Sequence, residues 1–397
     1  MPDRLKFGYF TLTDNSVGYG ARRRDPGDLI KDVVTQAIAA EGLGYNSAWL
    51  PEHHFGFFGV LPTPAQALTF IAARTTRLRL APATVLLPCT QPLRTAEEYA
   101  VLDVLSGGRA IFSAGRGYDE REYVGFEVPF HESRTRFDEE LLLVRKAWTE
   151  ENWTFSGQHH TIAEPITVVP RPVQKPHPPV YVACFSEPTM RMAAEQGFHI
   201  IFAPFAASMM FGSLANAVAK FKALAGEAGF PDSRAMCSYF TCIADTPAEK
   251  LAAQERLLYY LTNFIPAVPQ DPAKTPPHIR YFVDIADRVK RMQAQDLGER
   301  SIVTGTVDEV IRQFEQVEAA GIEEVICYFN FGLLSHAETM RQMERVSREV
   351  MPHFAVAGLD VLPGGADAAD AGEREVVSEH ERVLAAGAID ERAARRA

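Results

Sequence analysis

The sequence has few of the features that mark secreted, membrane or nucleic-acid-binding proteins. It has five cysteines in 397 residues and no CxxC pair, which argues against a disulfide framework or structural zinc and predicts a reducing, cytoplasmic setting. No run approaches the ~18 apolar residues of a membrane span, and no apolar segment predicts a signal peptide at the start. Lys and Arg number 40 against 51 Asp and Glu, a net charge of −11, so no nucleic-acid partner is expected.

Three motifs of common nucleotide and metal enzymes are also missing. Neither a P-loop nor HExxH occurs, and no strand is followed by GxGxxG. The nearest approach is Gly115-Arg116-Gly117, which continues into Tyr118 without a third glycine. The sequence therefore does not predict tight binding of a dinucleotide or of a metal ion.

Short apolar runs alternate with amphipathic stretches along most of the chain. Runs rich in Val, Ile, Phe and Tyr, without strict alternation, are typical of parallel strands buried on both faces. Helix starts are indicated by capping boxes at Thr95, Thr246, Thr306 and Ser335. The predicted strands are Lys6–Leu12, Ser47–Leu50, Leu78–Leu86, Ala110–Ala114, Val180–Cys184, His199–Ala203, Met236–Ile243 and Glu324–Phe329. Eight such units predict an α/β fold of the (β/α)₈ TIM-barrel type, with an open doubly wound sheet as the alternative.

Two insertion segments and a C-terminal extension depart from this rhythm. Residues 153–179, rich in Pro, His and Thr, predict an extended excursion or hairpin. Residues 263–300 contain five prolines and then a charged amphipathic stretch, and predict a long loop that is either an active-site lid or merely irregular. Low complexity near the end predicts a barrel over residues 1–355 and a flexible tail over 356–397.

In a (β/α)₈ barrel the active site lies where the strands end, so the residues after each strand are the candidates. The second strand is followed by Glu52-His53-His54. Adjacent side chains of an extended segment point in opposite directions, so at most one histidine faces the barrel mouth. An imidazole there suits acid–base chemistry. The alternative is a histidine that only hydrogen-bonds backbone in a packed loop.

Two further candidates follow strands four and five. Arg116 lies between glycines, where its guanidinium fork matches a phosphate, although a salt bridge to Asp119 or Glu122 explains it equally well. Ser186 and Thr189 open a helix, whose N-terminal amides favour an anion. The alternative for Ser186 is simple capping of the helix.

Taken in order and spacing, several stretches between about residues 5 and 354 resemble the flavin-dependent luciferase-like monooxygenase family. They are WLPEHHF at 49–55, ATVLLP at 83–88, LDVLSGGR at 102–109, SAGRG at 113–117, PVYVA at 179–183 with the turn SEPT at 186–189, GTVDEV at 305–310 and EVMP at 349–352.

The resemblance implies a (β/α)₈ barrel that binds reduced FMN, and it assigns roles to specific positions. His53 matches the family's essential histidine, and the Ala83–Thr84 bond matches a non-proline cis peptide under the isoalloxazine. The other cofactor-binding positions that it implies are Arg116, Ser186 and Thr189 at the phosphate, with Tyr118 and the backbone of Phe185 flanking the flavin.

The implied activity is oxygenation of a small organic substrate. Reduced FMN, supplied by a separate flavin reductase, would react with O₂ to form a C4a-(hydro)peroxyflavin, with no metal involved. Gly115 stands where the luciferase has a reactive cysteine, and Phe202–Phe205 replaces a tryptophan-bearing segment, so the resemblance leaves the substrate open. It also implies a homodimer through helices near Pro64–Arg74 and Thr95–Leu105.

Two alternatives share the same fold. One is an F420-dependent oxidoreductase that transfers hydride, and the other is a non-catalytic, flavin-binding partner subunit. Residues 263–300 correspond to a segment that the non-catalytic luciferase subunit largely lacks, which favours a catalytic chain.

Overall fold

The computed structural model describes residues 4–269, 271–273, 275 and 280–354, apart from the side chain of Tyr281. The predicted tail, residues 356–397, lies outside these ranges, so the domain boundary at residue 355 stays a prediction.

Parallel strands form the inner layer of the fold. The strands are β1 (Lys6–Phe10), β2 (Ser47–Leu50), β3 (Arg79–Pro82), β4 (Val85–Leu86), β5 (Phe112–Gly115), β6 (Trp153–Ser156), β7 (Thr161–Ile166), β8 (Val180–Cys184), β9 (His199–Phe202), β10 (Ala235–Ile243), β11 (Ile302–Gly305) and β12 (Glu324–Tyr328). Their order around the main sheet is β3-β2-β1-β12-β10-β9-β8-β5-β4, with β11 paired to the far end of β10. β4 continues β3 after a two-residue break, and Leu80 of β3 bridges in parallel to Ala110, so the sheet closes into a barrel.

Helices between the strands form the outer layer. The capping boxes predicted at Thr246 and Thr306 are present, and Ser335 caps its helix through the amide of Glu338. The box at Thr95 was wrong: Pro92 begins that helix and Gln91 caps it, since proline favours the first helical turn. The helices are α1 (Pro26–Gly42), α2 (Pro64–Ala72), α3 (Pro92–Leu105), α4 (Glu120–Gly125), α5 (Ser133–Thr149), α6 (Glu187–Glu195), α7 (Pro204–Phe211), α8 (Leu214–Glu227), α9 (Pro247–Phe264), α10 (Tyr281–Val289), α11 (Val307–Ala319), α12 (His336–Arg345) and α13 (Met351–Phe354).

The main core lies between barrel and helices. Phe112 of β5, for example, meets the rings of Tyr99 and Trp148 edge-on, each with 5.1 Å between centroids. The amino-terminal end of the barrel is closed by polar contacts, because the buried Glu324 carboxylate accepts hydrogen bonds from Ser47 and Asn46. The carboxyl end is therefore the open one.

The predicted (β/α)₈ barrel is confirmed, with differences in detail. The excursion at 153–179 contains the antiparallel hairpin β6–β7. The third strand is broken into β3 and β4, and β11 was not predicted. The described part of residues 263–300 is not one irregular loop but holds α10. No helix in the described ranges is long and apolar enough to cross a membrane.

Candidate active site

A cavity of about 320 Å³ opens at the carboxyl ends of the barrel strands. Its wall includes residues that follow β2, β3, β5 and β8, together with side chains from α9 and α10. Most of the sequence-predicted site residues line it, namely His53, Ala83, Thr84, Arg116, Tyr118, Phe185 and Thr189. Ser186 does not line it, but lies beside Thr189. Residues from distant parts of the chain thus meet in one place, as the barrel topology requires.

His53 faces the cavity, whereas His54 does not line it, as the alternation of an extended segment predicts. The His53 side chain is held from one side: its Nδ1 lies 3.5 Å from Oε1 of Glu122. Its Nε2 is buried and has no hydrogen-bond partner in the protein. A buried imidazole nitrogen without a protein partner is an atom that a bound molecule can satisfy.

Glu122, on α4, is the carboxylate that holds this histidine. It also accepts a hydrogen bond of 2.8 Å from the backbone amide of His54. Burial alone would raise the pKa of Glu122, but the contacts with His53 and the His54 amide outweigh it and lower the pKa below its ordinary 4.5. Glu122 is therefore a buried anion that lies against Nδ1 of His53.

The neighbouring pair behaves differently. Nε2 of His54 lies 3.0 Å from Oε1 of Glu52, yet burial raises the pKa of Glu52 above its ordinary value. The two consecutive histidines thus each have a glutamate, one with a lowered and one with a raised pKa. Only the first pair places an unpartnered nitrogen at the cavity.

The loop after β5 brings Arg116 and Tyr118 to the cavity. Gly117 has φ of +69°, a conformation that strains other residues, and a Cβ there would overlap the side chain of Leu86. The hydroxyl of Tyr123 donates to the backbone carbonyl of Arg116, which fixes the loop. Burial raises the pKa of Tyr118 well above its ordinary value, so its hydroxyl stays protonated.

Beside this loop, because β8 pairs with β5, α6 begins with two hydroxyls close together. The Ser186 and Thr189 Oγ atoms lie 3.0 Å apart, and both residues are buried. The Ser186 side chain makes no capping hydrogen bond to the helix. The simple capping interpretation of Ser186 is therefore wrong, and the first-turn amides of α6 keep their capacity to bind an anion.

The Ala83–Thr84 peptide bond is cis, as the resemblance implied. It lies between β3 and β4, at the floor of the cavity beside Gly115. A Cβ on Gly115 would overlap the Thr84 hydroxyl, so the absence of a side chain at 115 lets β5 approach this bond closely.

Sequence reasoning missed two groups of cavity residues. Sequence reasoning considered Glu122 only as a possible partner of Arg116. Nothing in the sequence linked Glu122 to His53, because the two residues are 69 positions apart. The aromatic residues of α9 and α10 were not assigned either. Their signal was the apolar faces of two segments: one follows the predicted helix start at Thr246, and the other lies in the stretch that proline content marked as a loop. Within the described ranges, no group of three or more His, Cys, Asp or Glu side chains is placed to hold a metal ion.

Comparison with known proteins identifies the family. The sequence profile of the luciferase-like monooxygenases matches residues 5–324, most of the chain. The chain belongs to the luciferase-like monooxygenase family. The match runs from before β1 to the first residue of β12, so it includes the cavity-lining residues of the described ranges except Ile326 and Tyr328.

Individual members of this family show what the chain is similar to. The alkanal monooxygenase alpha chain of the Kryptophanaron alfredi symbiont is 32% identical over 50% of this chain and 54% of its own length. The F420-dependent glucose-6-phosphate dehydrogenase of Amycolatopsis mediterranei is 31% identical over 46% of this chain and 55% of its own. Against the first curated relatives, then, the match spans about half of their length.

Two longer matches cover the barrel. The oxygenase component of a flavin-dependent trigonelline monooxygenase from Acinetobacter baylyi is 24% identical over 84% of this chain and 92% of its own. The crystal structure of the monooxygenase RslO1 from Streptomyces bottropensis superposes with a TM-score of 0.71, at 26% identity, over 88% of this chain and 100% of that one. The relatives of this luciferase-like monooxygenase thus include a protein named for a flavin and a protein named for F420.

Proposed function

We propose that this chain is the oxygenase component of a two-component monooxygenase. It would bind reduced FMN supplied by a separate flavin reductase and use O₂ to oxygenate a small organic substrate. The family and the relative named as an oxygenase component support this assignment. The observation that carries it is the pair of hydroxyls at the start of α6, Ser186 and Thr189, which contact each other rather than cap the helix and lie beside the cavity that Arg116 and the unpartnered nitrogen of His53 line.

The residues present fit a flavin mononucleotide. Its phosphate needs hydrogen-bond donors and positive potential. Arg116, the hydroxyls of Ser186 and Thr189 and the amino end of a nine-residue helix supply both. Its ring needs a flat, mostly apolar slot, and in this proposal the cavity surface formed by Ala83, Thr84 and Gly115 provides it. In this proposal Tyr118 and the backbone of Phe185 border the ring.

When bound, reduced flavin supplies the electrons that activate O₂. The protein's own contribution is to hold, shield and protonate. Glu122 fixes the ring of His53 through Nδ1, which leaves Nε2 as the atom that gives or takes a proton at the cavity. Phe58 packs edge-on against His53, with 5.1 Å between ring centroids, and limits its rotation. His53 is therefore the proposed acid–base residue.

Labelled oxygen tests this proposal. The purified protein is incubated with FMN, NADH, an unrelated flavin reductase, ¹⁸O₂ and a metabolite extract, and products are examined by mass spectrometry. We expect one compound to gain ¹⁸O only when all components are present. FMN affinity is measured separately by titration. Protein that binds no FMN and labels no compound contradicts the proposal.

A second candidate is hydride transfer with F420. It is favoured by the 31% identity to a relative named for that cofactor, although the match spans only about half of each chain. A deazaflavin does not activate O₂, so substrate turnover with reduced or oxidised F420 under strictly anaerobic conditions distinguishes the two candidates. Such turnover, without FMN binding, replaces the first proposal by the second.

The resemblance also leaves a homodimer through α2 and α3 and a cytoplasmic location as proposals. Both helices expose apolar side chains, Phe70 on α2 and Leu105 on α3, at 51% and 62% exposure. Light scattering tests the first proposal, since a mass of one chain of 44.0 kDa contradicts it.

A further inference from the structure

The cavity has two chemically different walls. What we call the polar wall carries all the acidic and basic side chains among the described residues that line the cavity. These are Glu52, His53, Arg116 and Glu122. What we call the aromatic wall is built from β10, α9 and α10. Its main members are Phe240, Leu257, Tyr260, Leu261, Phe264 and Phe282.

The barrel topology places these walls across from each other. Going round the closed sheet, β10 is four strands from the β3–β4 position in either direction, when β3 and β4 are counted as one broken strand. Residues that follow β10 therefore face the Ala83–Thr84 bond across the mouth of the barrel. A flavin ring lying on that bond would have one face turned toward the aromatic wall.

The aromatic wall is a connected set of rings. Tyr260 and Phe264 are nearly parallel, with 8° between their planes and 6.3 Å between centroids. Phe240 meets Tyr260 at 5.1 Å, and Tyr118 meets Phe264 at the same distance. The described cavity-lining side chains of α9 and α10 carry no charge. This surface offers dispersion contacts, ring edges and the hydroxyl of Tyr260, but no charged side chain that could pair with an ion.

One hydroxyl at this wall is already engaged. Tyr328 lines the cavity, but its hydroxyl donates to the buried carboxylate of Asp14, which Tyr19 also holds with a hydrogen bond of 2.6 Å. Tyr328 therefore presents its ring rather than a free donor. The carboxylate of Asp14 lies behind that ring and does not line the cavity.

We propose that the aromatic wall is the substrate subsite and that it takes an uncharged, ring-containing hydrocarbon-rich molecule rather than an organic anion or a sugar phosphate. The inference rests on the proposed function for what happens to this molecule, but not for its binding. A carboxylate or phosphate placed against these rings loses its hydration without gaining a positively charged partner, and an apolar ring does not incur this cost. Ring-to-ring contacts add further stabilisation.

Matched probes test the subsite without any turnover. Binding of 2-naphthaldehyde and of 2-naphthoate, which share one ring system and differ in charge, is measured by calorimetry on the full-length protein in phosphate buffer. The phosphate competes for Arg116. We expect the aldehyde to bind at least about tenfold more tightly than the carboxylate, the factor that ~1.4 kcal/mol of lost solvation produces. Glucose 6-phosphate should not compete with the aldehyde.

A variant locates the bound probe. Leu261→Glu places a charge on the aromatic wall and should weaken aldehyde binding at least about tenfold. Leu251→Glu, on the exposed face of the same helix at 41% exposure, is the matched control and should bind as the parent does. If thermal melting shows that Leu261→Glu is unfolded, Phe264→Ala provides the same test by removing a ring.

The outcomes are distinct from those of the proposed function. Equal or tighter binding of naphthoate, binding of neither probe, or aldehyde binding that both wall variants leave unchanged overturns the subsite. FMN affinity is measured on the same samples. If the protein prefers the aldehyde but binds no FMN, the flavin assignment alone is contradicted. If it binds FMN but does not prefer the aldehyde, the subsite alone is contradicted.

Discussion

Replacing His53 by alanine separates two effects that the geometry links. The imidazole is 8% exposed, contacts Glu122 through Nδ1 and presents Nε2 to the cavity. Its removal takes away the proposed acid–base atom, which we expect to lower product formation about 10²–10⁴-fold. FMN affinity should stay unchanged, because the proposed phosphate contacts lie after β5 and β8.

The same change has a calculable effect on stability. It leaves Glu122 buried with the backbone amide of His54 still donating to it, and loss of a hydrogen-bond partner by a buried charge costs about 1.5–3 kcal/mol at neutral pH. In the parent protein the pKa of Glu122 is below 4.5, so its contribution to stability is present above that pH and is lost as pH falls through the lowered value. In the variant the contacts with His53 no longer oppose the effect of burial, so the pKa of Glu122 rises. The difference in unfolding free energy between the parent protein and the variant should therefore shrink as the pH falls from 7 to 4.

The assay combines ¹⁸O-labelled product yield, FMN titration and urea unfolding at several pH values. His54→Ala is the matched control, because it removes the adjacent histidine but keeps the backbone amide that Glu122 uses. We expect that variant to lose less than about tenfold in product. A His53→Ala protein with parental product yield, or with a stability difference independent of pH, refutes the reasoning about this pair.

Three further predictions concern single positions. Thr189→Val removes a hydroxyl from the proposed phosphate site and should weaken FMN binding by about 1–2 kcal/mol in a fluorescence titration, whereas equal affinity contradicts its role. Gly117→Val, at φ of +69° and against Leu86, should lower the free energy of unfolding by more than about 1 kcal/mol, while Gly42→Ala, which meets no atom within 4 Å, should not. Burial raises the pKa of Glu140 to about 8, above its unfolded value of 4.5, so parental stability should fall as pH rises from 4.5 through 8. Glu140→Gln should abolish that fall, and an unchanged thermal-melting pH profile contradicts the assignment.

Local sequence patterns predicted the barrel well because parallel strands buried on both faces leave a strong signal. β2 and β8 begin and end at the predicted residues. Prediction failed for β11, which was missed, and where a signal was misleading: Thr95 lies within a helix that Pro92 begins. The proline-rich segment hid α10, because proline content says where a helix is interrupted but not whether the rest forms one.

The place of a candidate residue at the cavity was predictable where the residue closely follows a strand end, as for His53, Arg116 and Thr189. Contacts between residues from different strands and helices were not predictable. The partner of His53 is on α4, and the aromatic wall is assembled from β10, α9 and α10. Such contacts depend on how the strands close into a ring, which no local window of sequence contains. The prediction that at most one of His53 and His54 faces the cavity agrees with the structure, because it depends only on the geometry of adjacent residues.

A crystal structure of the protein with FMN tests the central claim most directly. The account predicts the phosphate within hydrogen-bond distance of the Arg116 guanidinium and of the hydroxyls of Ser186 and Thr189, with the flavin ring on the Ala83–Thr84 bond. A phosphate bound elsewhere, or a ring outside the cavity at the carboxyl ends of the strands, contradicts it.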